Sequence, residues 1–283
     1  MRRAGRIAAP HGQAMSRLEL LQLHASLWRH RRLVVELARR EVVERTAGQA
    51  LGVAWSLVVP LVQIAVYLFV FVVVLRARLS LPAPEGRDYA SYILIGLVPW
   101  LALQDIVARS AVLGPGHRSV LKQTVFPADV LPAKTVAAAL FPFLISLAGI
   151  LVFMSARGGL SVGTLLLLPA MVLLVGWMMT LAYALATIGV FFRDIKDVAS
   201  LVMFAATYLA PIVYEPSAVP AAFRPLILLN PFSWILWCFQ DAGFYGEVLH
   251  PWAWLASAGV AIVGPVLSHA FFCRARPYFS ESL

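Results

Sequence analysis

Residues 52–75 read GVAWSLVVPLVQIAVYLFVFVVVL, with no acidic or basic side chain anywhere in the run. A helix rises ~1.5 Å per residue, so about 20 such residues cross the hydrocarbon core of a bilayer. The stretch is apolar on every side, without the alternation of a strand or the single stripe of a soluble amphipathic helix. Five further apolar blocks follow, from Tyr89 to Leu113, Ala133 to Met154, Thr164 to Phe192, Val198 to Tyr214 and Pro251 to Cys273. The fifth of the six is the shortest. Pro60, Pro99, Pro142, Pro169, Pro211 and Pro265 fall inside the blocks and predict kinks, which membrane helices tolerate when neighbours satisfy the freed carbonyls. The expected fold is an all-α membrane protein with six transmembrane helices.

Composition points the same way. With 61% of residues hydrophobic and 13% charged, the chain carries more apolar surface than a soluble domain can hide. The formal charge of +9 does not predict nucleic-acid binding, because the basic residues sit beside the apolar blocks and are not interleaved with exposed aromatics. The first 51 residues contain ten arginines and no long apolar run, so the first span is expected to direct insertion itself.

Orientation follows from lysine and arginine, which are retained on the cytosolic side. With the N-terminus inside, 18 of the 23 basic residues fall in cytosolic segments, and six spans return the C-terminus, with Arg274 and Arg276, to the cytosol. Against the rule, the first outer loop keeps Arg76, Arg78 and Arg87. The same topology sends Cys238 and Cys273 toward opposite faces, so no disulfide is expected.

Three regions result. Residues 1–27 form a basic tail. Residues 28–51 hold a predicted amphipathic interfacial helix over Trp28–Arg45, with Leu33, Leu37 and Ala38 near one face and Arg32, Glu36, Arg39 and Arg40 largely on another. Residues 52–283 form the six-span domain. Between its fifth and sixth spans, residues 215–250 contain Pro216, Pro220, Pro225 and Pro231, which break two apolar pieces too short to cross. That pattern predicts a re-entrant outer hairpin. Its aromatics, among them Phe232, Trp234, Trp237 and Phe239, suit either an interfacial belt or an outer gate.

Catalytic patterns are missing: no phosphate-binding Gly-rich loop, no paired metal-ligand histidines, no Gly-x-Ser-x-Gly elbow. His250 and His269 lie in or beside the last span at separated positions and read as structural. Asp105 and Arg109 are ionisable groups within a span, and their i, i+4 spacing predicts a mutually neutralising pair. Gln63, Tyr67 and Phe71 form a stripe on the first span, and Phe204 and Tyr208 another on the fifth. Packing explains such stripes; so does a path for sugar, whose C–H faces stack on rings while its hydroxyls need donors and acceptors. The turn Phe192-Arg193-Asp194-Ile195-Lys196-Asp197 alternates charge, which suits either simple solvation or docking of a soluble partner.

Several separated motifs give the sequence a family likeness. Arg40-Glu41-Val42-Val43-Glu44-Arg45-Thr46 leads to Leu51-Gly52-Val53-Ala54-Trp55 and Pro60; Gly96-Leu97-Val98-Pro99-Trp100 is followed by Leu121-Lys122 and Phe126-Pro127. Then come Phe192-Arg193-Asp194-Ile195, Pro211-Ile212-Val213-Tyr214 with Val219-Pro220 and Leu229-Asn230-Pro231, and the ending Arg276-Pro277-Tyr278-Phe279. In order and spacing these resemble the permease subunit of type 2 ABC transporters that export polysaccharide, such as O-antigen, teichoic acid or capsule. Glu41 stands where that family commonly has aspartate, and Thr46 where it often has tyrosine. The resemblance implies an inner-membrane homodimer bound to two copies of a separate ATPase, which supplies ATP and Mg. This chain would have no cofactor, no metal and no catalytic residue of its own. It further implies a lipid-linked polysaccharide as cargo, with Arg40, Arg45, Lys122, Arg193, Asp194 and Lys196 near the ATPase. Two other classes stay open: an integral-membrane glycosyl- or acyltransferase, for which only Asp105 offers a deep carboxylate, and a permease for drugs or lipids.

Overall fold

The computed structural model describes residues 29–44, 52–76, 84–116, 127–192 and 194–279. The basic tail, Arg45, Lys122 and Arg193 lie outside them. The described residues are helical, without strands. In chain order the helices are α1 (Arg31–Glu44), α2 (Trp55–Leu68, continued by a π-helical turn Phe69–Val74), α3 (Tyr89–Gly116), α4 (Val130–Ser155), α5 (Leu167–Phe191), α6 (Ile195–Leu209), α7 (Arg224–Leu229), α8 (Pro231–Gln240) and α9 (Pro251–Ala275).

Five of the apolar helical stretches are long and apolar enough to cross a membrane: Leu57–Val74, Tyr89–Leu113, Val130–Ser155, Val162–Phe191 and Pro251–Tyr278. The block predicted over Val198–Tyr214 is the exception, since α6 starts earlier and stops at Leu209. Pro211 explains the stop: it has no N–H to donate and disfavours helix at the residue before it, and Ala210 is extended at φ −94, ψ 146. The backbone turns there, through a bond from the Ile212 N–H to the Ala210 carbonyl at 2.8 Å, and its carbonyls do not go unsatisfied. The Pro211 carbonyl accepts from Gln240 Nε2 at 2.5 Å and from the Tyr92 hydroxyl at 3.4 Å, and the Val213 carbonyl accepts from the Tyr89 hydroxyl. Side chains of α3 and α8 thus donate to carbonyls that the end of the helix leaves without an intrahelical partner.

Direction alternates along the chain. The N-terminus of α4, the C-termini of α3 and α9 and the helix α1 meet at one end, while the starts of α3, α5 and α9 meet at the other with α7 and α8. These are called here the α1 end and the hairpin end. α3 is the hub, with 78% of its span buried; α2 stands on the flank with none of its span buried. Cys238 and Cys273 are both free, one near the hairpin end and the other at the α1 end.

The hairpin end is closed by Arg87, which is almost fully buried. Its guanidinium donates to the Gly159 carbonyl at 2.7 Å, to the Ser161 hydroxyl at 2.7 Å and to the Phe244 carbonyl, tying three connections together. Burial lowers its pKa. One of the three arginines that counted against the orientation is therefore a structural clamp, not a solvated loop charge. Next to it Asp88 caps α3 by accepting from the Ser91 N–H and hydroxyl, both at 3.0 Å, and pairs with Arg157.

Burial pushes the Asp88 carboxyl up, but the two Ser91 bonds and the Arg157 bond and charge outweigh it and hold the group below its ordinary value. A depressed carboxylate contributes stability above its unfolded-state value and loses it as pH falls through the folded one. Acid titration through that range is expected to loosen the hairpin end, seen as faster amide exchange in 84–92. Asp88→Asn should show no such acid step, and an unchanged step in that variant would exclude Asp88 as its origin.

α1 has the expected two faces. Ala38 is buried and Leu33 and Leu37 half-buried, whereas Arg32, Glu36, Arg39 and Arg40 are exposed. Its apolar face lies on α4.

Candidate functional site

Gln63 and Tyr67 of α2 and Phe204 and Tyr208 of α6, four of the five residues of the predicted stripes, line one groove in the flank of the bundle. Its floor is α3, through Leu101, Gln104 and Val107, and its volume is about 320 Å³. Phe71 stacks on Tyr67 at 6.1 Å, and Phe204 meets Tyr208 edge-on at 5.4 Å. Thr207 organises the polar floor: its hydroxyl accepts from Trp100 Nε1 and Gln104 Nε2, each at 3.2 Å, and donates back to the Met203 carbonyl at 2.8 Å. Gln63 has no such partner among the described residues, so its amide is available to the groove. Phe204 and Tyr208 are each 62% exposed, so this wall opens outward from the bundle.

A second cavity of about 300 Å³ lies between α2, α3 and α4. Gln63 and Leu101 line both and form the partition. The second cavity is mostly apolar, with Pro60, Pro142 and Phe143, but Asp105 and Arg109 stand at its α1 end. The predicted pair is present: Arg109 Nε donates to Asp105 Oδ1 at 2.6 Å.

The sequence did not reveal what this pair joins. Glu41 of α1 brings Oε2 to 3.3 Å from Lys134 Nζ of α4 and Oε1 to 4.0 Å from Arg109 of α3. Asp105, Arg109, Glu41 and Lys134 thus form one partly buried charged tie linking α1 to two membrane helices. Periodicity placed Glu41 on no particular face, and Lys134 counted only as a cytosolic charge.

The other predicted coupling residues are more dispersed. Arg40 pairs with Glu36 on the exposed face of α1 at 3.1 Å, a solvated pair that contributes little to stability. Asp194 stands at the N-cap position of α6 without capping it through its side chain, and Asp194, Lys196 and Asp197 are exposed. The turn presents its charges at the same end as α1.

The four predicted gate aromatics occupy α8, which Asn230 starts by capping the Phe232 N–H at 3.1 Å. Phe232 wedges between Trp100 and Trp177, with centroids 5.6 and 6.0 Å away. Trp234 donates to the Leu228 carbonyl at 2.9 Å. Trp237 and Phe239 are buried, the first stacked on His250 at 5.1 Å, the second edge-on to Phe143 at 6.1 Å. In this conformation the aromatics bind the hairpin onto the bundle and do not line an opening. Asp241, fully buried, accepts from the His250 N–H at 2.9 Å and Trp254 Nε1 at 3.1 Å and pairs with His250 Nδ1 at 2.8 Å, which accounts for His250 structurally.

These elements define a polytopic helical membrane protein with a polar and aromatic groove in its flank and a charged tie between its amphipathic helix and its core. The chain belongs to the ABC-2 type transporter family, whose sequence profile matches residues 32–244. That places it among transport proteins and not among membrane transferases. The O-antigen export system permease protein RfbA of Myxococcus xanthus is 27% identical over 267 residues, which span 93% of this chain and 100% of the relative. A protein of the same name from Klebsiella pneumoniae is 25% identical over 218 residues, 76% of this chain and 82% of the relative.

Proposed function

We propose that this chain is the membrane-spanning permease subunit of an ATP-driven exporter that carries a lipid-linked polysaccharide, such as an O-antigen, out of the cytosol across the bacterial inner membrane. The full-length likeness to an O-antigen export permease carries the reading. The α1 end faces the cytosol, in keeping with the distribution of lysine and arginine. α1 lies at the interface, α6 with the turn that follows it is the fifth span, and α7 and α8 form the re-entrant hairpin. Its fifteen helical residues cover about 22 Å, and the turn at 211–214 carries the chain on to the hairpin.

Two copies place their grooves toward a shared path, where Tyr67, Phe204 and Tyr208 offer ring faces to sugars and Gln63 offers an amide. Each copy binds an ATPase subunit, which holds ATP and Mg, through α1, Lys122 and the turn at residues 192–197. Closure of the ATPases moves α1, the charged tie transmits that motion to α3 and α4, and the path opens.

Co-purification with the ATPase followed by hydrolysis assays tests the reading. Stimulation by lipid-linked glycan is expected; stimulation by drugs or phospholipid alone would replace this cargo with the other class of permease. Charge reversal at Arg193 or Asp194 is expected to abolish export while leaving membrane insertion intact, measured by surface glycan and by detergent-extracted yield. Export at the normal rate in both variants would remove the turn from the docking surface.

A further inference from the structure

A second cluster at the α1 end is not used by this mechanism. Asp129 occupies the N-cap position of α4 without a side-chain capping bond. His269 and Cys273, spaced i, i+4 near the end of α9, turn toward it. His269 Nε2 lies 3.8 Å from Asp129 Oδ2 and 3.5 Å from Cys273 Sγ, and the donor atoms of all three residues lie within 4.8 Å of one another. The arrangement is braced from α5: the Tyr183 ring meets the imidazole edge-on at 5.2 Å, and its hydroxyl donates to the Asp129 carbonyl at 2.6 Å. His269 is buried and Cys273 exposed, so the cluster has a dry side and an open one.

We infer that Asp129, His269 and Cys273 form a binding site for a divalent metal of the zinc type. Zinc bonds run about 2.3 Å to thiolate sulfur and about 2.0–2.1 Å to imidazole nitrogen and carboxylate oxygen. The corresponding edges of a tetrahedron are about 3.6 Å for sulfur to nitrogen and about 3.3 Å for nitrogen to oxygen. The first edge is already present at 3.5 Å, and the second needs a contraction of about 0.5 Å from 3.8 Å. The donor set narrows the ion: magnesium and calcium take oxygen ligands, whereas thiolate with imidazole and carboxylate selects zinc and its neighbours. Three protein ligands leave a fourth position, which opens at Cys273 and would take water. Binding releases the thiol proton to solvent and joins the end of the last membrane helix to the start of α4. A hydrogen-bonded thiol–imidazole–carboxylate triad without metal is the competing reading.

Cobalt titration of the full chain, purified in detergent with a tag that lacks histidine, separates the two. One cobalt per chain is expected, with the thiolate-to-cobalt charge-transfer absorption in the near ultraviolet. Cys273→Ser should lose that band, and Asp129→Asn or His269→Gln should weaken binding about tenfold or more. The unchanged melting temperature of metal-free Cys273→Ser verifies folding, since the side chain is exposed. Zinc should also slow alkylation of Cys273 about tenfold in the wild type and not in His269→Gln. Absence of the charge-transfer band at millimolar cobalt, or equal alkylation with and without zinc, overturns the site and leaves the hydrogen-bonded triad.

Discussion

Gly176→Leu is expected to yield little folded protein, with a cost at or above the upper end of the ~1–3 kcal/mol typical of overpacking. A Cβ at Gly176 in α5 would stand 2.5 Å from the Ala261 carbonyl oxygen and 2.6 Å from its Cβ in α9, so even alanine must part the helices. The contact is reciprocal: a Cβ at Gly264 would stand 2.7 Å from Thr180 Cγ2. Close approach then permits a polar bond across the seam, because the Thr180 hydroxyl, bonded to the Gly176 carbonyl at 2.8 Å, also lies 3.4 Å from the Val260 carbonyl. Between helices in lipid there is no hydrophobic drive to association, so small residues and such bonds hold the pair. The matched control is Gly259→Leu on the same helix α9, where a Cβ meets nothing within 4 Å. That variant should melt at or slightly above the wild type, leucine being the better helix former by up to ~1 kcal/mol. Thermal unfolding in detergent, followed by size-exclusion profile, compares the two. Equal melting of Gly176→Leu and Gly259→Leu would show that the seam does not hold the fold.

This seam was illegible in the sequence for the same reason that the spans were legible. An apolar run announces a membrane helix by length alone, but it is apolar on every side, so it does not say which face meets protein and which meets lipid. Where polarity broke the uniformity, the reading reached further. Asp105 and Arg109 paired at their spacing, the Leu33, Leu37 and Ala38 face of α1 turned inward, and the Gln63 and Phe204 stripes met across one groove. What spacing cannot supply is the partner from a distant segment. Arg87 counted as a loop charge until Phe244, 157 residues later, appeared at its guanidinium. Trp237 and Phe239 suited an interfacial belt or an outer gate by sequence, yet their helix folds back onto α3, α5 and α9 and buries them. The end of α6 was misplaced because Tyr89, Tyr92 and Gln240 make a helix break tolerable after Leu209, and none of them is near it in sequence.

The largest functional effect is expected at Glu41. Glu41→Ala removes the carboxylate that faces Lys134 and Arg109 and leaves Lys134, whose side chain is only 12% exposed, without this charge partner. An exposed pair contributes ~0.5 kcal/mol and loss of one partner of a fully buried pair costs ~3–5, so this intermediate site corresponds to about 2 kcal/mol. The cost does not fall on the helix bundle, which the α5–α9 seam and the Arg87 clamp hold together elsewhere. It falls on the seating of α1 against α3 and α4. If the transporting state requires that seating, 2 kcal/mol is about a 30-fold change in its population, ample to stop export while the bundle stays folded. The expected result is a permease of normal yield and melting temperature, bound to its ATPase, that hydrolyses ATP and moves glycan at a few per cent of the normal rate. Glu41→Asp, one methylene shorter but still charged, should retain most of the rate, and Lys134→Ala should reproduce the loss. ATP hydrolysis and glycan export measured together in reconstituted vesicles decide it. A Glu41→Ala protein that exports at the wild-type rate, or one that loses ATPase binding altogether, would show that α1 does not transmit its motion through this tie.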